Sequence, residues 1–235
     1  KLQRRLKRAF QDERPDVILS YTIKNNIFGA QAAHTVGVPF LPNVTGLGTA
    51  FLSGKFLQTV TKHLYRRSFK TVPIVFFQNG DDRDLFLDHS MVRQDQVRLL
   101  PGSGIDLVHF APTAMPPADK PHIFLMISRL LRDKGVFEFV DAARQIKAQH
   151  PTARFQLLGA AGSENRSAIN RATLDAWVAE GVVEYLGTTN DVRPAIAEAN
   201  CVVLPSYREG APRTLIEAAA MARPVITTDV PGCRA

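Results

Sequence analysis

Short apolar runs alternate with helical stretches along this chain. The runs fall at residues 16–20, 39–43, 74–77 and 97–100, then at 123–127, 155–158, 182–186, 202–204 and 225–227. Several are continuously apolar and rich in Val, Ile and Leu, which fits parallel strands covered on both faces. Helical segments separate those of the second series, at 136–150, 167–180, 192–199 and 212–222. Strand–helix alternation predicts βαβ units and doubly wound α/β sheets.

The alternation breaks at residues 110–121, which hold four prolines and little apolar material. Proline fixes φ and lacks an amide donor, so this stretch is a poor helix and a poor central strand. It predicts a linker over 111–121 between an amino-terminal domain at 1–110 and a carboxyl-terminal domain at 122–235. The 235 residues are long for one domain and short for two complete ones. The chain starts at Lys1 and stops just after the run at 225–227, so both domains are expected to be truncated.

Composition narrows the picture further. Hydrophobic residues make up 45%, enough for a buried core, and no apolar run reaches the ~18 residues of a membrane span. The charge of +7, from 29 Lys and Arg against 22 Asp and Glu, points to an anionic partner without choosing among nucleic acid, membrane and phosphorylated ligand. Cys201 and Cys233 lie outside any CxxC pair and read as thiols of a reducing cytoplasm. His34, His89, His109 and His122 read as structural or exposed, and no metal cluster is visible.

Candidate chemistry gathers where strands end. After the run at 202–204 comes a polar turn holding Glu209 and Gly210, then a helix opening at Pro212 and containing Arg213, Thr214, Leu215 and Glu217. Glycine lets a backbone come close to a ligand, and proline suits a first helical turn. The leading amides and the helix dipole make an anion site, flanked here by two carboxylates that can accept hydroxyl hydrogen bonds. After the run at 123–127, Arg129 and Lys134 lie on a loop ahead of a helix, where two cations can clamp a diphosphate. The turn from Gly187 to Val192 can pair with a nucleobase edge or simply cap a helix. Thr45, Gly46 and Gly48 form a glycine-bearing loop in the first half, able to approach a substrate or merely to turn the chain. Residues 55–70 read as an amphipathic helix with Lys62, His63, Arg66, Arg67 and Lys70 on one face, a solvated face or a seat on anionic lipid.

Together these segments resemble the family 4 retaining glycosyltransferases, of two-domain GT-B fold. The resemblance is carried by the Glu-x7-Glu pair Glu209 and Glu217 behind residues 204–208, by Ser128, Arg129 and Leu130 with Lys134 and Gly135, and by residues 229–234. It implies that Arg129 and Lys134 neutralise the departing diphosphate, that Glu217 binds ribose and that Glu209 touches the donor sugar. It implies that Thr214 and Leu215 offer amides to phosphate, and that the Gly187–Val192 turn meets the base. The implied co-substrate is a nucleotide sugar, best guessed as a UDP-sugar, with no cofactor and no metal, in keeping with the lack of a DxD motif. The subgroup it most resembles acts on lipid-linked or polysaccharide intermediates at the inner membrane face, with residues 43–48 on the acceptor side. The expected protein is therefore cytoplasmic, with peripheral contact to anionic membrane and no nucleic-acid partner. A GT-B nucleotide-sugar epimerase, a non-catalytic nucleotide-sugar-binding module and a basic nucleic-acid-binding protein are the rival readings.

Overall fold

The computed structural model describes residues 1–47, 54–162, 165 and 167–234, and of Lys55 the backbone only. The chain divides into two compact units. One comprises Lys1–Ser103, Arg208–Ala211 and Pro231–Ala235; the other comprises Gly104–Tyr207 and Pro212–Val230. The contiguous division read from the sequence differs on this point, because hydrogen bonds and packing do not follow chain order.

The first unit holds α1 (Leu2–Glu13), β1 (Ile18–Tyr21), α2 (Ile23–Val36), β2 (Phe40–Val44), α3 (Lys55–Phe69), β3 (Val75–Phe77), α4 (Gly80–Asp88) and β4 (Val97–Leu99). Its four strands lie in the order β1-β2-β3-β4, all parallel. An aromatic knot fills the core: Tyr65 and Phe77 each meet Phe86 edge-on, with ring centroids 4.8 and 5.1 Å apart. Edge-to-face packing suits the ring quadrupole and adds to the area buried.

The second unit holds β5 (Ile123–Ile127), α5 (Val136–Gln149), β6 (Arg154–Leu158), α6 (Arg171–Ala179), β7 (Glu184–Tyr185), α7 (Arg193–Glu198), β8 (Cys201–Leu204), α8 (Arg213–Ala220) and β9 (Val225–Thr227). Its parallel sheet runs β7-β6-β5-β8-β9. The continuous apolar run in β5 is explained by burial on both faces. Met126 joins one core cluster with Val140 and Trp177, while Leu125 and Ile127 join another with Ile196 and Ala218. The chain steps outward from β5 to β6 and β7, then returns to the other side of β5 as β8, where Phe124 faces Cys201 and Leu125 faces Val202. That reversal is a topological switch point, and its carboxyl edge is where open α/β sheets take ligands.

Two details depart from the sequence expectation. The helix expected from residue 167 begins at Arg171, because Ile169 is held extended by its amide on the Leu130 carbonyl at 2.9 Å. Asn170 then caps the helix, accepting from the Thr173 amide at 2.8 Å. The proline-rich stretch is fastened to the second unit by Arg223, which is buried and donates to the carbonyls of Thr113, Ala114, Ile196 and Ala197 at 2.7–3.1 Å.

Candidate functional site

In the second unit, the loop after β5 and the loop after β8 are locked together at the switch point. The Asp133 carbonyl accepts from Ser206 Oγ at 3.1 Å and from the Tyr207 amide at 3.0 Å. Gly135 has φ +78, and a Cβ there would lie 2.0 Å from the Pro205 carbonyl oxygen. Gly159 has φ +144, and a Cβ there would lie 1.8 Å from the Ser128 carbonyl oxygen. Only glycine tolerates both the conformation and the approach. Arg129, exposed, and Lys134, half-buried, ride on this fixed loop.

The helix α8 starts beside it, with Thr214 Oγ1 donating to the Ile127 carbonyl at 3.2 Å. Pro212 stands at the capping position rather than inside the first turn as expected. The Leu215 amide donates to the Pro212 carbonyl at 3.1 Å, leaving the Arg213 and Thr214 amides as the leading donors of the helix. Glu217 is nearly covered, its side chain 12% exposed, with Arg213 Nη2 3.3 Å away. Arg129, Lys134, Arg213, Thr214, Leu215 and Glu217 thus all lie on the carboxyl edge of β5 and β8 or in the helix that starts there.

The Gly187–Val192 turn follows β7. Gly187 has φ +76, open space where a Cβ would be, and a carbonyl that accepts from the Gly159 amide at 2.8 Å. Val192 is the residue before α7. Arg193 hydrogen-bonds the Asp191 carboxylate through side chain and amide, pushing its pKa down to about 2.

In the first unit, Thr45 and Gly46 follow β2, and Gly48 lies outside the described residues. The Arg208–Ala211 turn, which carries Glu209 and Gly210, packs here. A Cβ on Gly210 would lie 2.1 Å from the Thr45 carbonyl oxygen, and one on Gly46 would lie 3.2 Å from the Gly210 amide. Glu209 is half-buried, and its amide donates to the Pro231 carbonyl at 3.0 Å. Asn79 and Asp82 at the start of α4, which the sequence reading missed, hold this turn together with Arg208. The acidic first turn behind an Asn cap was visible as a helix start, but nothing local marks Asp82 as a fully buried carboxylate.

The basic helix α3 is divided in use. Tyr65 and Phe69 enter the core, whereas Phe56, Leu57 and Val60 are 83%, 47% and 38% exposed. Lys62 Nζ lies 2.8 Å from His89 Nε2, and Arg66 donates to the His89 carbonyl, so two of the cations stabilise the end of α4. Among the described residues no helix is long and apolar enough to cross a membrane, and no group of three or more His, Cys, Asp or Glu is placed to hold a metal ion.

Residues 121–235 match the family described as glycosyl transferases, group 1. Among curated proteins, the chain is 31% identical over 234 residues to an N,N'-diacetylbacillosaminyl-diphospho-undecaprenol α-1,3-N-acetylgalactosaminyltransferase of Campylobacter jejuni, covering 93% of this chain and 60% of that protein. It is 25% identical over 240 residues to an Escherichia coli UDP-Gal:α-D-GlcNAc-diphosphoundecaprenol α-1,3-galactosyltransferase, covering 97% of this chain and 61% of that one. The chain therefore spans about three fifths of these relatives. Among solved structures, HepE of Anabaena with UDP-glucose superimposes at a TM-score of 0.81 with 18% identity, over 99% of this chain and 64% of that one. Sucrose-phosphate synthase of Thermosynechococcus elongatus gives 0.80 with 24% identity, over 99% and 61%. The structural likeness shows the fold, which is GT-B, with two Rossmann-like parallel sheets as the sequence led one to expect.

Proposed function

We propose that this protein, whose residues 121–235 match the group 1 glycosyl transferases, moves a sugar from a UDP-sugar to a lipid-linked or polysaccharide acceptor with retention of anomeric configuration. The observation that carries the reading is the switch point of the second unit. There Arg129 and Lys134 share the carboxyl edge of β5 and β8 with the amino end of α8, and Glu217 lies in the first turns of that helix.

In this reading Arg129 and Lys134 stabilise the charge that develops on the leaving diphosphate, where preorganised donors act most strongly. The leading amides of α8 add the helix dipole. Glu217 accepts from the ribose hydroxyls, Glu209 accepts from hydroxyls of the donor sugar, and the Gly187–Val192 turn meets the base. Thr45 and Gly46 serve the acceptor side. Two relatives whose names specify undecaprenol diphosphate acceptors, and a neighbour solved with UDP-glucose, support the substrate classes. We place the protein on the cytoplasmic face of the inner membrane, seated through the exposed Phe56, Leu57 and Val60 of α3.

Calorimetric titration of the full-length protein with UDP, GDP and ADP tests the donor site. UDP is expected to bind saturably, and Lys134→Ala is expected to weaken it at least tenfold, the effect of losing one charge-assisted contact. Absence of nucleotide binding in the folded protein would sink the reading.

A further inference from the structure

The Arg208–Ala211 turn is held from three directions inside the first unit. From the residues just after β2 and β3, the Thr45 carbonyl stands where any Cβ on Gly210 would go, 2.1 Å away, with Gln78 Oε1 at 2.8 Å. From residues 231–232, the Pro231 carbonyl takes the Glu209 amide at 3.0 Å, and a Cβ on Gly232 would come within 2.3 Å of the Glu209 carbonyl oxygen. From α4, Asn79 Nδ2 donates to the Gly210 carbonyl at 2.8 Å and lies 3.5 Å from that of Glu209. The Asp82 carboxylate, fully buried, pairs with the Arg208 guanidinium, whose side chain is 18% exposed.

This is an expensive arrangement for a plain surface turn. A buried carboxylate is tolerated only with close partners, and Asp82 has Arg208 and Asn79. The Asn79 amide is used at both ends: Oδ1 accepts from the Asp82 amide at 2.8 Å to cap α4, while Nδ2 reaches the turn. The backbone on either side of Glu209 is thereby pinned, so its side chain starts from one fixed point.

We propose that Asn79 and Asp82 are positioning residues for Glu209, fixing the turn so that its carboxylate discriminates among donor sugars. The inference rests on the reading that Glu209 contacts the donor sugar. A carboxylate on a loose turn still accepts hydrogen bonds but cannot prefer one hydroxyl geometry over another, so the loss appears in selectivity before it appears in nucleotide affinity.

The test is calorimetry on the full-length protein with UDP and with UDP-glucose, UDP-galactose, UDP-N-acetylglucosamine and UDP-N-acetylgalactosamine. The wild-type affinities are expected to spread at least tenfold across the four sugars. Asn79→Ser keeps a helix-capping oxygen but removes the donor to Gly210, so it loosens the turn while retaining the fold. It is expected to shrink the spread to about threefold or less while UDP affinity stays within about twofold. Glu209→Ala, run in parallel, is expected to do the same. If Glu209→Ala shrinks the spread and Asn79→Ser preserves it, the positioning role is overturned while the reading of Glu209 stands. If Glu209→Ala itself leaves the spread intact, the reading of Glu209 falls and the inference with it.

Discussion

The loop after β5 and the Arg208–Ala211 turn carry comparable candidate chemistry and are built in opposite ways. The β5 loop is fixed by groups of its own sheet edge: glycines at 135 and 159 pressed against neighbouring carbonyls, and hydrogen bonds from the Ser206 hydroxyl and the Tyr207 amide to the Asp133 carbonyl. The Arg208–Ala211 turn is fixed by side chains more than a hundred residues away in sequence, by Asn79 through a hydrogen bond to Gly210 and by the buried Asp82 through an ion pair with Arg208. Steric fixation of this kind is insensitive to pH, whereas fixation through a buried charge is not. The difference teaches where each region should break.

The largest effect is expected in the sterically fixed loop. Gly159→Ala would force a methyl within 1.8 Å of the Ser128 carbonyl oxygen at φ +144, a conformation L side chains rarely adopt. Backbone strain and displacement together should cost about 3 kcal/mol or more. Thermal unfolding should show that loss, and UDP binding should fall with it, both unchanged in direction between pH 5 and 8. A variant with normal stability would mean that the loop is softer than its packing implies.

The turn should break with a pH signature instead. Burial raises the Asp82 pKa, Arg208 and Asn79 oppose the rise, and Asp81 and Tyr65 are the other titratable groups facing it. A carboxyl whose folded pKa is raised adds a penalty that sets in as pH climbs from its ordinary, unfolded value through the folded one. Arg208→Gln removes the main opposing charge and moves that window higher. The variant should lose about 3 kcal/mol at neutral pH, the low end for a buried charge left without its partner because Arg208 is partly exposed. It should regain stability relative to wild type as pH falls and Asp82 takes up a proton. Denaturant unfolding at pH 5, 6 and 7.5 checks this, and a deficit that is flat with pH would show that Asp82 is not the group responsible.

The same contrast explains what could be read from the residues. Continuous apolar runs announced the strands of the second unit because β5 is covered on both faces, so nearly every side chain in it had to be apolar. Arg129 and Lys134 lie on the loop after β5 and Glu217 in the helix after β8, so the strand–helix pattern of the sequence already set them near that sheet edge. Asp82 was not legible. An aspartate in a first helical turn is favoured by the dipole whether exposed or buried, and its burial depends on Arg208, 126 positions later. The onset of α6 was missed for a related reason, since the extended residues before Asn170 are held by a bridge to Leu131 rather than by any local breaker.

The smallest effect concerns α3, where the sequence grouped Lys62, His63, Arg66, Arg67 and Lys70 on one face and the packing sets Lys62 and Arg66 apart from the rest. Lys62 and Arg66 are engaged at His89, so neutralising them should loosen the end of α4 and change membrane affinity little. Phe56, Leu57 and Val60 stand in solvent, and apolar side chains brought to a lipid interface each contribute on the order of 1 kcal/mol. Phe56→Ser combined with Leu57→Ser should therefore reduce binding to phosphatidylglycerol-containing vesicles about tenfold, measured by co-sedimentation, with the melting temperature unchanged because neither side chain is in the core. Lys62→Gln should give the reverse pattern, a lower melting temperature and nearly unchanged vesicle binding. If instead the charge variant alone releases the protein from vesicles, the seat is electrostatic and the exposed apolar residues of α3 serve another partner.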